Sequence, residues 1–316
     1  MEVSIGRASS VGIRFLYQGS ILSKGKRETT IAQALKSAYF GMPIFMESLK
    51  QLDFAHAALA RTYISEGRLE EAEKLYQTAL AVAEQVHGAQ SQEAIPPLSN
   101  LANFYFERAD FAKARVYLER LFNLLSAQDW LAYARTGGQL ASCLEWCAEN
   151  DQAEKVLLAT IRSAEKGLGC EHEVTQTLLL ELGNHYVRVG VYVAARAVFE
   201  ELVELFTSLC AESVALIDVY AKLADVYDKM SLYEDRIAIL EKQLALQEKS
   251  EQRAISLAST LVSLGDAYGA AASYFRDRAM AQKALQSFER ALSIYENQGN
   301  LPSAQILKQR MQRLTA

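Results

Sequence analysis

Cysteine and histidine are the residues of this chain best suited to holding a metal, and four of them fall near one another. Cys143 and Cys147 stand four apart on what reads as one helix, and Cys170 and His172 follow in the next loop. A tetrahedral zinc site needs four such ligands. This spacing matches no zinc motif, and a helical hairpin separates the two halves, so the cysteines read as small core hydrophobes. Nucleophilic chemistry is no better served. His56, His87 and His172 lie in separate segments and His185 stands beside Tyr186, with no Ser-His-Asp or Cys-His arrangement in local spacing. Gly167 and Gly169 are not followed by Lys-Ser or Lys-Thr, so no phosphate-binding loop forms there. Glu70-Glu71 and Glu200-Glu201 have the spacing of solvated helix faces. We therefore expect no catalytic residue, no metal and no cofactor.

What, then, do the elements carry? The chain has 316 residues, half of them hydrophobic, which is ample to bury a core. Its net charge of -5 offers no general attraction for nucleic acid or an anionic membrane. No apolar run approaches the 18 or so residues that a spanning helix needs. Four cysteines, the fourth being Cys210, are too few for a disulfide scaffold and point to a reducing, cytoplasmic compartment.

No proline occurs between Pro97 and Pro302, and apolar residues recur three and four apart rather than alternating. The chain reads as helix nearly throughout, and the helices repeat. Leu59-Ala60, Leu101-Ala102, Leu140-Ala141, Leu182-Gly183, Leu223-Ala224 and Leu264-Gly265 open six similar segments, spaced 42, 39, 42, 41 and 41 residues apart. Tyr63, Tyr105, Tyr186, Tyr227 and Tyr268 follow at one spacing, as do Ala72, Ala114, Ala153 and Ala195 at another. The small residues let paired helices approach closely, the tyrosines fill gaps between pairs, and Gly67 and Gly190 mark turns. One pair cannot bury its own apolar faces, so the pairs must stack. A coiled coil is excluded because no heptad is sustained.

These residues resemble the tetratricopeptide repeat family, in the longer form of about 42 residues found in kinesin light chains. The resemblance spans residues 53–296. It is carried most clearly by ALAVAEQVHGAQSQEAIPPLSNLANFY (79–105) and SAEKGLGCEHEVTQTLLLELGNHY (163–186). His172 stands where that form often has a loop histidine before proline, although Glu173 replaces the proline and Gln92 takes the histidine's place in the earlier copy. The heptad-rich N-terminal coiled coil of kinesin light chains is missing from this sequence, so the chain is not expected to be one.

The resemblance implies an all-α fold, an α-solenoid coiling as a right-handed superhelix of about six helix pairs. It also implies that the first helix of each pair lines a concave groove, with the groove-facing residue two positions after each leading leucine. Those positions are Arg61, Asn103, Ser142, Asn184, Asp225 and Asp266. Asn103 and Asn184 stand out, because an amide can donate to and accept from a peptide backbone at once. Charge along this wall is uneven: Arg61, Arg135 and Arg188 lie in the earlier pairs, and Asp218, Asp225, Asp228 and Asp266 in the last two, relieved by Lys222 and Lys229. A basic partner segment would complement that end. Chaperone tails, which need clustered lysines as well as asparagines, are not expected ligands.

The ends depart from the repeat. Residues 1–27 form a basic arm, read either as an ordinary extension, which can dock in the groove and regulate access to it, or as an organelle-targeting segment. Residues 28–52 read as N-terminal capping helices, with a break at Pro43. Residues 297–316 read as a C-terminal capping helix with Leu307, Met311 and Leu314 inward. The sixth pair carries seven extra residues around Gly269–Phe275. Seven is close to two helical turns, so either both helices lengthen or a loop exposes Tyr274 and Phe275 as a binding lip. The function expected is a scaffold or adaptor for another protein. The alternatives are a sensor whose pitch changes with an effector, and a self-assembling repeat.

Overall fold

The computed structural model describes residues 56–125, 129–209, 214–249 and 254–315. The basic arm, the N-terminal caps, the first three repeat residues and Cys210 lie outside these described residues, as does the side chain of Leu314. Among the described residues every regular element is a helix. The chain divides into two compact units, residues 1–125 and 126–316.

The first unit holds two helix pairs. Helix α1 runs through residues 56–65 and α2 through Leu69–His87; a 3-10 turn at Gln92–Ala94 leads into α3 (Ile95–Phe106), followed by α4 (Phe111–Leu124). Pro96 and Pro97 sit in the first turn of α3, where a missing amide hydrogen costs nothing. Asp110 caps α4, accepting a hydrogen bond from the Lys113 amide at 3.3 Å.

The second unit holds four pairs and a cap. They are α5 (Trp130–Trp146) with α6 (Asn150–Leu168), α7 (Glu173–Val189) with α8 (Tyr192–Leu209), α9 (Val214–Lys229) with α10 (Tyr233–Lys249), and α11 (Ala254–Phe275) with α12 (Arg278–Asn297). Helix α13 (Leu301–Thr315) closes the series. Asp129, His172 and Asp277 each accept an amide hydrogen bond at the start of α5, α7 and α12 respectively. The loop histidine at 172 is therefore a helix cap.

Three repeated devices hold the pairs. First, each turn between paired helices contains one left-handed residue: Gly67, Ala109, Ala148, Gly190, Ser231 and Arg276, with φ between 55° and 80°. Second, small residues set the interhelix distance. A methyl group built on Gly183 would lie 2.3 Å from the Phe199 ring, and one on Gly265 2.4 Å from Phe288. Third, tyrosines on first helices reach back to a glutamate on the preceding pair. Tyr105 donates to Glu73 at 2.7 Å, Tyr186 to Glu154 at 2.8 Å, Tyr227 to Glu200 at 2.9 Å, and Tyr268 to Glu241. Burial first, and then the carboxylate acceptor, raises the pKa of all four, that of Tyr186 to about 12.

The sixth pair resolves the alternatives for its seven extra residues. Its left-handed residue comes twelve positions after the leading leucine, against eight in every other pair, and its buried alanine, Ala284, comes eight after that instead of five. Four residues thus enter α11 and three enter α12, each close to one turn of 3.6 residues. Both helices lengthen with their buried faces in register. The end of the longer α11 carries Tyr274 and Phe275, 68% and 46% exposed.

Candidate functional site

The first helices of the second unit carry polar residues on one stripe. On α5 the stripe runs Arg135, Gly138, Ser142 and Glu145; on α7 it runs Glu181, Asn184 and Arg188. Helices α5 and α7 are in direct contact. Between them Ser142, Glu145, Glu181, Asn184 and Arg188 line a cavity of about 90 Å³, with Ala141 and Leu157 as its apolar wall. Asn184 and Arg188, two of the residues expected on the groove wall, therefore line one cavity.

Its electrostatics centre on two carboxylates. Glu145 is held by His185, whose Nδ1 lies 2.6 Å from Oε1, and by the Arg188 guanidinium. His185 is 2% exposed. Glu181 has no such support: its Oε2 is buried without a hydrogen-bond donor. Gly138 makes room for it, since a methyl group there would come 3.0 Å from Oε2. Burial, with the nearby Glu145 charge, raises the pKa of the Glu181 carboxyl to about 7, and Arg188 opposes the shift only in part.

The remaining expected positions do not join this cavity. Arg61 and Asn103 lie on α1 and α3 of the first unit, Arg61 beside the Tyr76 hydroxyl. Arg135 is exposed on α5. On α9, Asp228 is paired with Arg236, and Asp218 lies 4.0 Å from Lys222. Asp225 is exposed as a residue, but partial desolvation of its carboxyl among the surrounding atoms raises its pKa, and Arg236 opposes this. Asp266 lines a second hollow of about 300 Å³ with Gly265, Gly269, Ala270, Ser273, Phe288 and Arg310. There it pairs at 2.9 Å with Arg310 of the capping helix. The acidic end of the wall is thus partly neutralised by the protein's own arginines. Tyr274 and Phe275 form an aromatic cluster with Tyr233, with ring centroids 5.0 Å and 5.1 Å from Tyr274.

Three residues of the α5–α7 site were missed from the sequence: Glu145, Glu181 and His185. A signal existed for His185. It stands three after its leading leucine, a place filled by buried Phe104, Cys143, Val226 and Ala267 in other copies. Glu145 similarly takes a place held by Phe106 and Val187 in neighbouring copies. Glu181 left no trace, because Asn100, Gln139 and Lys222 at its repeat position are also polar. The candidate zinc ligands are dispersed: Cys143 is buried, Cys147 half-buried and Cys170 exposed. Among the described residues no group of three or more His, Cys, Asp or Glu side chains is placed to hold a metal ion.

Tetratricopeptide repeat models match residues 53–127 and 217–250. No curated protein matches the chain. Solved structures do. Kinesin-light-chain-type TPR-like repeats from Podosopora anserina align at 20% identity and TM-score 0.55, over 63% of this chain and 96% of theirs. BtubC (BKLC) from P. vanneervenii aligns at 19% identity and TM-score 0.55, over 78% and 92%. The apo form of RapI aligns at 15% identity and TM-score 0.54, over 83% and 97%. At these identities the structural likeness speaks to the fold alone, and it agrees with the repeat matches: residues 53–127 and 217–250 carry tetratricopeptide repeats, and the chain has an all-helical, solenoid-type fold similar to those structures.

Proposed function

We propose that this chain is a protein-binding scaffold, rather than an enzyme, and that its second unit holds a segment of a partner protein along the stripe of α5 and α7. One observation carries this reading: Asn184 and Arg188 from one first helix converge with Ser142 and Glu145 from the next on a single polar cavity. Convergent polar groups in a concavity are the ordinary mark of a binding site. Asn103, at the matching position of α3, extends the same use of amides to the first unit. Asp225, Asp228 and Asp266 keep a net acidic character on α9 and α11 that favours a basic stretch of partner, softened by Arg236 and Arg310. The exposed Tyr274-Phe275 pair is a second contact of the kind enriched at interface centres. Among the described residues no helix is long and apolar enough to cross a membrane, and Cys143, Cys147 and Cys170 form no disulfide, which suits work in the cytoplasm.

The test is retention of partners from native lysate by the wild-type chain and by an Asn103→Ala/Asn184→Ala chain of equal helicity. A protein retained by the first and lost from the second is the expected result. A partner held equally by both would move the site off the first helices.

A further inference from the structure

The α5–α7 cavity has a charge and donor imbalance that specifies its occupant. Arg188 and His185 are both committed to Glu145, so the two carboxylates of the site share one set of donors and Glu181 is left with a buried oxygen and none. Ser142 Oγ donates to the Gly138 carbonyl at 3.1 Å, and so offers only lone pairs to a ligand. The Asn184 side chain lines the same cavity from α7, where its amide can turn an oxygen toward a donor. The unfilled requirement is for a donor-only, positively charged group that can satisfy a carboxylate, a hydroxyl oxygen and an amide oxygen together. An ammonium has three donors, no acceptor and one positive charge. A planar guanidinium fork matches bidentate carboxylate geometry instead, and here Arg188 already serves Glu145.

We propose that this cavity is a subsite for one primary ammonium group, carried by a lysine side chain of the partner segment and received by Glu181, Ser142 and Asn184. The inference rests on the reading of the α5–α7 stripe as a partner-binding surface and names the chemistry read there. Its lysine stem would run along Ala141 and Leu157, the apolar wall. Arrival of the cation would also remove the cost of ionising Glu181 beside Glu145, since an opposite charge favours the ionised carboxylate.

The test needs no knowledge of the partner. Nα-acetyl-lysine methylamide is titrated into the full chain carrying 13C-labelled glutamate carboxyls, at constant ionic strength, and the Glu181 and Glu145 resonances are followed, Glu145, which lines the same cavity, being the reporter in Glu181→Gln. The expected result is a saturable shift, weakened by about tenfold or more in Glu181→Gln, in keeping with loss of a charge-assisted hydrogen bond, and to a lesser degree in Ser142→Ala. Nα-acetyl-norleucine methylamide, which lacks the amine, should produce no saturable shift. No saturable shift with the lysine probe, or equal binding by wild type and both variants, overturns the proposal. Tighter binding of the arginine analogue would overturn the ammonium assignment. Equal binding of alanine methylamide, an α-ammonium without a stem, would overturn lysine as the source. Lysine-probe binding through Glu181 combined with a captured partner held equally by wild type and Glu181→Gln would leave the ammonium subsite standing and refute α5 and α7 as the partner surface, so the two failures are distinguishable.

Discussion

Glu181 is the residue at which packing and electrostatics are most at odds. Its carboxyl is buried beside Glu145 on α5, with Arg188 two turns away on its own helix, His185 turned to Glu145, and only Leu157 lining the cavity from α6. With a folded pKa of about 7 against an ordinary 4.5, the sign of the linkage is clear. Below pH 4.5 the group is protonated in both states and contributes nothing. Between 4.5 and about 7 the unfolded chain ionises first, so stability falls as pH rises, and above 7 the full penalty is present. At ~1.4 kcal/mol per unit this approaches about 3 kcal/mol. Glu181→Gln should therefore be nearly neutral at pH 4.5 and stabilising by roughly 1–3 kcal/mol at pH 8. Thermal unfolding of the two chains across that range checks it, and parallel pH profiles would sink the assignment. Such residues are legible as departures from the repeat, and the departures come in complementary pairs. His185 and Glu145 occupy apolar repeat positions and bond each other. Arg236, standing where Ala72, Ala114, Ala153 and Ala195 stand in other pairs, meets Asp228, which occupies the same repeat place as Glu145.

Single elements are set by backbone conformation as much as by side chains. The left-handed turn residue is glycine in two pairs and alanine in two others. A non-glycine residue there costs about 1–2 kcal/mol. Ala109→Gly and Ala148→Gly should each stabilise the protein by up to about 1 kcal/mol, read as a raised denaturation midpoint. Gly190→Ala should do the reverse, and since nothing lies within 4 Å of the added methyl, the loss would be purely conformational. Gly183→Ala differs in kind: its methyl would meet the fully buried Phe199 ring at 2.3 Å. Overpacking of this sort costs about 1–3 kcal/mol. The same variable turn explains what the sequence hid about the sixth pair. The length of the insertion showed that helical phase could survive, but its division between α11 and α12 hinges on Arg276, which no glycine marks.

At the scale of the whole molecule, stability in a stacked array is a sum of pair and neighbour terms. The six-fold spacing of Leu, small residue and Tyr made the helix pairs of each unit legible. The Tyr–Glu bonds between neighbouring pairs were not, because their acceptors Glu73, Glu154, Glu200 and Glu241 look like any solvated glutamate in a helix. Nearest-neighbour coupling makes the cap a local device. Leu307 is 2% exposed and Ala304 is also buried, while Met311 packs on the core, so α13 covers the last pair with an apolar face. Arg310 and Lys308 add ties to Asp266 and Glu296. Leu307→Ala leaves a cavity and should cost about 2–4 kcal/mol of local stability. Because each pair feels only its neighbours, amide hydrogen exchange should accelerate in α11, α12 and α13, weakly in α9 and α10, and not at all in α5 to α8. Uniform acceleration across the second unit would mean instead that α5 to α13 open as one cooperative body, and that the pairs are not the units of its stability.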